Sequence, residues 1–260
     1  MADELILEFI GYLWKEVRKY SIYVLGGQGQ AVADILPKIP DMENSSNLRK
    51  ILEKIKVNIY HHPEFSMTTS RAFDCSGLGT EFFMQYDLIS SDTTADGLYK
   101  MCDDLPVKAE VLKLGDAVFQ QGYKKVDGKT VAYMHHVGYV AEVVDGKCTK
   151  IIEAKGRAYG VVASDFKASN WSHAGRFKFW NKQSVLTRNL YLTDPMMTGE
   201  DVKEVQIRLN NLKYNCGTAD GIFGKKTDIA VKNFQSDNGI SAKGIVGKKT
   251  AEALGFKWEG

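Results

Sequence analysis

Apolar residues recur at helical spacing near the start of the chain. Leu5, Ile6, Phe9, Ile10, Leu13, Trp14 and Val17 share one face of a predicted helix over 3–20. Ile22-Tyr23-Val24-Leu25 then runs into Gly26-Gly27-Gln28-Gly29, a turn with no Gly-Lys-Ser/Thr behind it and so no phosphate-binding loop. Leu48, Ile51, Leu52 and Ile55 predict a helix over about 46–59, and Leu78, Phe82, Phe83 and Tyr86 predict another starting from Phe73. Beyond it the rhythm shortens. Val107–Phe119, Val131–Val143 and Cys148–Ala154 read as strands, with Asp127-Gly128 and Asp145-Gly146 as hairpin turns. Val161-Val162 and Arg176–Trp180 add two more. Helices followed by an antiparallel sheet make residues 1–181 an α+β unit.

Residues 182–198 are polar and irregular, contain Pro195, and read as a linker. Helical spacing returns at Val202, Val205, Leu209 and Leu212. Within 199–260, Asp220-Gly-Ile-Phe-Gly-Lys-Lys-Thr227 is echoed by Lys243-Gly-Ile-Val-Gly-Lys-Lys-Thr250. Each copy predicts a glycine-bounded turn into a helix, with the threonine as its N-cap. Two copies are too few for a solenoid, so the tail is expected to be a small all-α module.

The composition narrows the function classes. Thirty-four basic against 32 acidic residues give a formal charge of +2 over 260 residues, which supplies no field for gripping nucleic acid. No apolar run approaches 18 residues, so no spanning helix and no membrane insertion are expected. The acidic start, Met1-Ala2-Asp3-Glu4, lacks the features of a secretory signal, and the expected place of synthesis is the cytoplasm with reduced thiols. Cys75, Cys102, Cys148 and Cys216 contain no Cys-x-x-Cys pair, no Cys/His cluster has zinc-ligand spacing, and His61-His62 before Pro63 reads as an exposed loop pair. No metal or organic cofactor is implied.

Cys102, Cys148 and Cys216 are expected to be core thiols. Cys75, in Phe73-Asp74-Cys75-Ser76-Gly77-Leu78, opens an apolar helix, where the helix dipole lowers a thiol pKa and backbone N–H groups can hold an oxyanion. A base is needed, and His135-His136 on a predicted strand offers one imidazole per sheet face. Glu153 on the following strand is the group that would orient it. The alternative is a buried cysteine beside structural histidines.

Asp74-Cys75-Ser76-Gly77 followed by His136-Val137-Gly138-Tyr139 resembles the NlpC-type family of cell-wall cysteine peptidases, which share a papain-like α+β core. Tyr23-Val24-Leu25-Gly26-Gly27 is similar to the family's Tyr-x-Trp-Gly-Gly segment, with Leu25 for Trp. Leu112-Lys113-Leu114-Gly115-Asp116 is similar to its strand entry, with Leu114 for Pro. The resemblance covers roughly residues 10–180. It implies Cys75 as nucleophile, His136 as general base, and Tyr23, Asp74 and Ser76 near the substrate subsites. Glu153 stands where the family usually has His, Asn or Gln. A helical insertion at about 30–72 is a second departure, expected to lie beside the cleft.

The tail resembles a peptidoglycan-binding domain through Asp220–Gly224, Thr227, Ala230-Val231 and Phe234-Gln235. Together the resemblances imply a peptidoglycan hydrolase of endolysin type, acting on the wall after release at phage lysis. They imply cleavage of a γ-D-glutamyl–diamino acid bond through a cysteine thioester. An amidase at the sugar–peptide junction and a non-catalytic wall-binding protein are the alternatives.

Overall fold

A computed structural model describes residues 2–181 and 185–260. The chain divides into two compact units, Met1–Asn181 and Lys182–Gly260.

The first unit opens with α1 (Ala2–Arg18), whose Phe9, Ile10 and Leu13 are buried. Then come β1 (Ile22–Tyr23) and β2 (Gln28–Ala31). The segment expected as a helical insertion contains α2 (Val32–Ile35), α3 (Ile39–Met42) and α4 (Ser45–His61). The Asn44 side chain caps α4 by accepting the Asn47 N–H. Val32, Ile35, Ile39, Ile51 and Ile55 form a local core against Ile22, Val24 and Ala72. The strand β3 (Arg71–Phe73) pairs parallel with β1 and antiparallel with β2. It leads into α5 (Gly77–Gln85), so the helix expected from Phe73 starts four residues later. Next are α6 (Ala95–Lys100) and β4 (Cys102–Leu105).

The long strands are β5 (Ala117–Val126), β6 (Lys129–Val144), β7 (Lys147–Gly156), β8 (Gly160–Asp165) and β9 (His173–Phe177). With β4 they make a six-stranded antiparallel sheet in the order β4-β9-β5-β6-β7-β8. Both Asp-Gly hairpin turns form with positive φ at both residues, as the strand twist requires. One sheet face, through Phe119, Val137, Tyr139 and Ile152, packs with α1 and α5 residues such as Phe9, Leu78 and Phe83. The other face buries Val118, Val140 and Ile151 under Leu112 and Trp171. The fold class is therefore mixed α+β.

The second unit contains β10 (Val185–Leu186), α7 (Glu200–Asn211), α8 (Lys225–Asp237), α9 (Lys248–Ala253) and β11 (Lys257–Trp258). The expected all-α module thus gains a short parallel β10–β11 pair. Of the stretch expected as linker, 182–184 lie outside the described residues. Leu186 and Leu190 are fully buried in the second core, so 185–190 packs as part of this unit, because two leucines on a polar stretch find an apolar partner there.

Candidate functional site

The cysteine turn is built by backbone capture. Asp74 accepts the Gly77 N–H at 2.7 Å and the Ser76 hydroxyl at 3.1 Å on one oxygen, and the Gly26 N–H at 3.0 Å on the other. Its own N–H donates to the Gly27 carbonyl at 2.9 Å. Asp74 and the buried Ser76 thus stitch the Gly26-Gly27 loop to the start of α5. Glycine is required at 77 because a Cβ there would collide with the Gly27 carbonyl oxygen.

Cys75 sits in this turn, partly buried. Its Sγ donates to the His135 carbonyl at 3.7 Å. Burial pushes the thiol up to about 11, the Asp74 charge adds to the rise, and the N–H groups of Val137, Ser76 and Cys75 itself oppose it. The lowered thiol pKa expected from the helix dipole is thus reversed by desolvation and a neighbouring carboxylate.

A β-bulge shapes the histidine strand. Gln120 pairs with His136 but Gln121 pairs with Met134, leaving His135 as the extra residue. Met134 and Val137 both enter the first core, three residues apart. The two imidazoles therefore do not follow the alternation that would send one to each face. His135 is exposed, and His136 stacks on Trp171 with ring centroids 5.8 Å apart and planes at 12°.

His136 Nε2 and Glu153 Oε2 lie 2.7 Å apart. The other Glu153 oxygen accepts the Ser164 hydroxyl at 2.7 Å, with Lys155 Nζ at 3.6 Å. Burial raises the Glu153 carboxyl, but His136, Ser164 and Lys155 outweigh it and hold the group below its ordinary value. His136 Nδ1 has no hydrogen-bond partner among the described residues. The structure thus brings His136 and Glu153 together. It sets the Cys75 sulfur against backbone groups of the residues flanking His136, without a thiol–imidazole hydrogen bond.

Tyr23 completes the neighbourhood. Burial, then the charges of Cys75 and Asp74, push its phenol up to about 12. The Arg157 guanidinium lies 5.2 Å from the Tyr23 ring centroid, and its Nε donates to Glu43 Oε1 at 2.7 Å. Sequence reasoning missed Trp171, Ser164, Arg157 and Glu43. Arg157, four residues beyond Glu153 in the turn between β7 and β8, had a positional signal; the others are brought in by pairing and packing at long range.

In the second unit the duplicated turns share one device. Gln206 donates to Asp220, to the Ile222 carbonyl and to the Thr227 hydroxyl, and accepts the Gly221 N–H at 2.8 Å. Gln235 repeats it with the Ile245 carbonyl, the Thr250 hydroxyl and the Gly244 N–H at 2.9 Å. Both threonines are buried at the third position of their helices, in the first turn; Gly224 and Gly247 occupy the N-caps expected for them.

Residues 198–254 match the family model described as a peptidoglycan binding domain. The second unit carries that domain. Relatives with partial matches include a spore cortex-lytic enzyme of Bacillus subtilis (strain 168), 45% identical over 77 residues, 29% of this chain and 25% of that protein. A probable N-acetylmuramoyl-L-alanine amidase of Bacillus licheniformis is 38% identical over 91 residues, 32% of this chain and 24% of that protein. The carboxy-terminal processing protease CtpB of Bacillus subtilis (strain 168) is 38% identical over 68 residues, 25% of this chain and 14% of that protein. The chain therefore spans a quarter or less of each of these relatives. The crystal structure of the SleB N-terminal domain is similar at 34% identity and a TM-score of 0.26, over 27% of this chain and 93% of that one.

Proposed function

We propose that this protein is a peptidoglycan hydrolase whose first unit is a papain-like, NlpC-type cysteine peptidase and whose second unit holds it on the wall. The observation that carries the reading is the part-buried His136–Glu153 pair at 2.7 Å, with a thiol lodged against the backbone on either side of His136. The peptidoglycan binding domain on the same chain, and relatives named as cortex-lytic enzyme and amidase, support the substrate class.

In this mechanism Glu153 takes the Nε2 proton side of the imidazole and leaves Nδ1 as the base. His136 Nδ1 accepts the Cys75 proton, and the lowered Glu153 carboxyl stays ionised to stabilise the imidazolium. The resting thiol is neutral, so proton transfer accompanies substrate binding. The thiolate attacks the amide carbonyl, and N–H groups at the start of α5 hold the oxyanion. The imidazolium gives its proton to the leaving amine as the C–N bond breaks. Water then attacks the thioester, its proton passing to His136, and the acid and thiol are released. Tyr23 flanks the reacting sulfur, while Asp74 and Ser76 hold the turn. The bond cut is γ-D-glutamyl–diamino acid in a stem peptide.

Cys75→Ala is expected to abolish clearing of purified walls while leaving the circular dichroism spectrum intact. Retained lysis would sink the assignment. The relative named as an amidase favours a second reading, cleavage at the sugar–peptide junction. Mass spectrometry of the digest separates the two: a new N-terminal diamino acid marks the peptidase, a free N-terminal L-alanine the amidase. Walls that bind the wild-type protein but yield no products of either kind would leave a wall-binding protein without catalysis.

A further inference from the structure

Three of the partly buried arginines differ in how their guanidinium groups are used. Arg71 places Nε and Nη2 on Glu16 and Nη1 on Glu81, so every nitrogen is taken. Arg176 places Nε and Nη2 on Asp116. Arg157 is held through Nε alone, by Glu43 at 2.7 Å. Its two outer nitrogens have no acceptor among the described residues.

Glu43 is itself fixed. Its carboxylate accepts the Leu25 N–H and the Asn47 amide, each at 3.1 Å, and its side chain is 1% exposed. Burial raises this carboxyl, but Arg157, Leu25 and Asn47 outweigh it and keep it ionised at neutral pH. Arg157 therefore lies over Tyr23 with its inner edge anchored, its outer edge unpaired and its side chain 22% exposed. The loop after Tyr23 ties this anchor to the cysteine turn, since the Leu25 N–H donates to Glu43 at 3.1 Å and the next N–H, that of Gly26, donates to Asp74, the neighbour of Cys75, at 3.0 Å. An anchored guanidinium with two free NH₂ groups has the fork geometry that matches a carboxylate bidentately.

We propose that Arg157, positioned by Glu43, is a specificity-determining residue that receives a free carboxylate of the substrate beside the scissile amide. The preferred substrate is then a peptide whose acyl-side residue is joined through its side chain and keeps its α-carboxylate unblocked. A carboxamide at that place carries no charge and turns an NH₂ toward the arginine donors, so it is disfavoured. This rests on reading Cys75 as the nucleophile of a wall-peptide hydrolase.

The test uses the full chain and two synthetic stem tetrapeptides that differ in one group, the α-carboxylate or α-carboxamide of the γ-linked residue. Calorimetry on Cys75→Ala is expected to show the acid binding about ten- to a hundredfold more tightly than the amide, the range for one charge-assisted hydrogen-bonded pair. Adding Arg157→Ala is expected to bring that ratio near one, and Arg157→Lys to keep part of it, with melting temperatures checking that each variant is folded. In the active chain the same preference is expected in kcat/KM. Equal binding of both peptides by Cys75→Ala, or a preference that survives in folded Arg157→Ala, overturns the proposal. Acid-selective binding without cleavage of either peptide would instead strike the hydrolase reading, and cleavage without selectivity would strike Arg157 alone.

Discussion

At the scale of single residues, the site is a contest between burial and local partners. Cys75 and Glu153 are both desolvated, yet their acidities move in opposite directions. The thiol meets the Asp74 charge and rises to about 11, whereas the carboxyl meets an imidazole, a hydroxyl and an ammonium and falls. The sign of the linkage follows. A carboxyl lowered on folding contributes stability above its unfolded value of 4.5, and that contribution is lost as pH falls through the lower folded value. A thiol raised on folding contributes below its unfolded value of 9.0, and that is lost as pH climbs toward 11. Glu153→Gln is therefore expected to cost about 1–3 kcal/mol near neutral pH through the weakened part-buried pair. It is also expected to flatten the acid limb of stability. Urea titrations of both proteins between pH 3 and 7 check this, and an unchanged acid limb would remove Glu153 from the account.

At the scale of elements, the paired glutamines explain why the tail repeats. Each closes a glycine turn onto the helix that follows, giving every arm of its amide a partner. Gln206→Ala leaves the Gly221 N–H and the Thr227 hydroxyl short of a buried partner, at about 1–3 kcal/mol for each orphaned group. The expected signature in hydrogen exchange is local: faster exchange at Gly221 for Gln206→Ala, and at Gly244 for Gln235→Ala. Equal loss of protection throughout the unit in both variants would deny each turn its own lock. The long strands were legible because β-branched and aromatic residues alternate between Asp-Gly turns. The short ones were not. Arg71–Phe73 has three residues, and Cys102–Leu105 carries two exposed aspartates. Val107–Val111, apolar enough to suggest a strand, lies in turns ahead of Gly115 at φ +79°. The residue types at 75, 136 and 153 could be read from motif and spacing, and His136 and Glu153 come together from neighbouring strands. The bulge at His135 could not be read, since one extra residue in a strand leaves no mark in the hydrophobic pattern.

At the scale of the whole molecule, the chain builds separate hydrophobic cores in two units, and the peptidoglycan-binding match falls within the second. No helix among the described residues is long and apolar enough to cross a membrane. If, as proposed, the first unit cuts the wall and the second holds the chain on it, the first should keep its activity alone. Residues 1–181 are expected to cleave soluble stem peptides at a rate within about threefold of the full chain, while sedimenting with purified walls far less. Equal sedimentation of both would place wall binding in the first unit. The cysteines set apart from the chemistry have a consequence of their own. Cys102 lies in the core shared with α1 and α5, Cys148 in the core on the opposite sheet face, and Cys216 in the core of the second unit. Each is unpaired and buried, so each reacts with a thiol reagent only when its own surroundings open. Mass spectrometry of the tagged peptides over time would thus read three local opening equilibria from one unmodified chain, with the tag on Cys216 timing the second unit independently of the first.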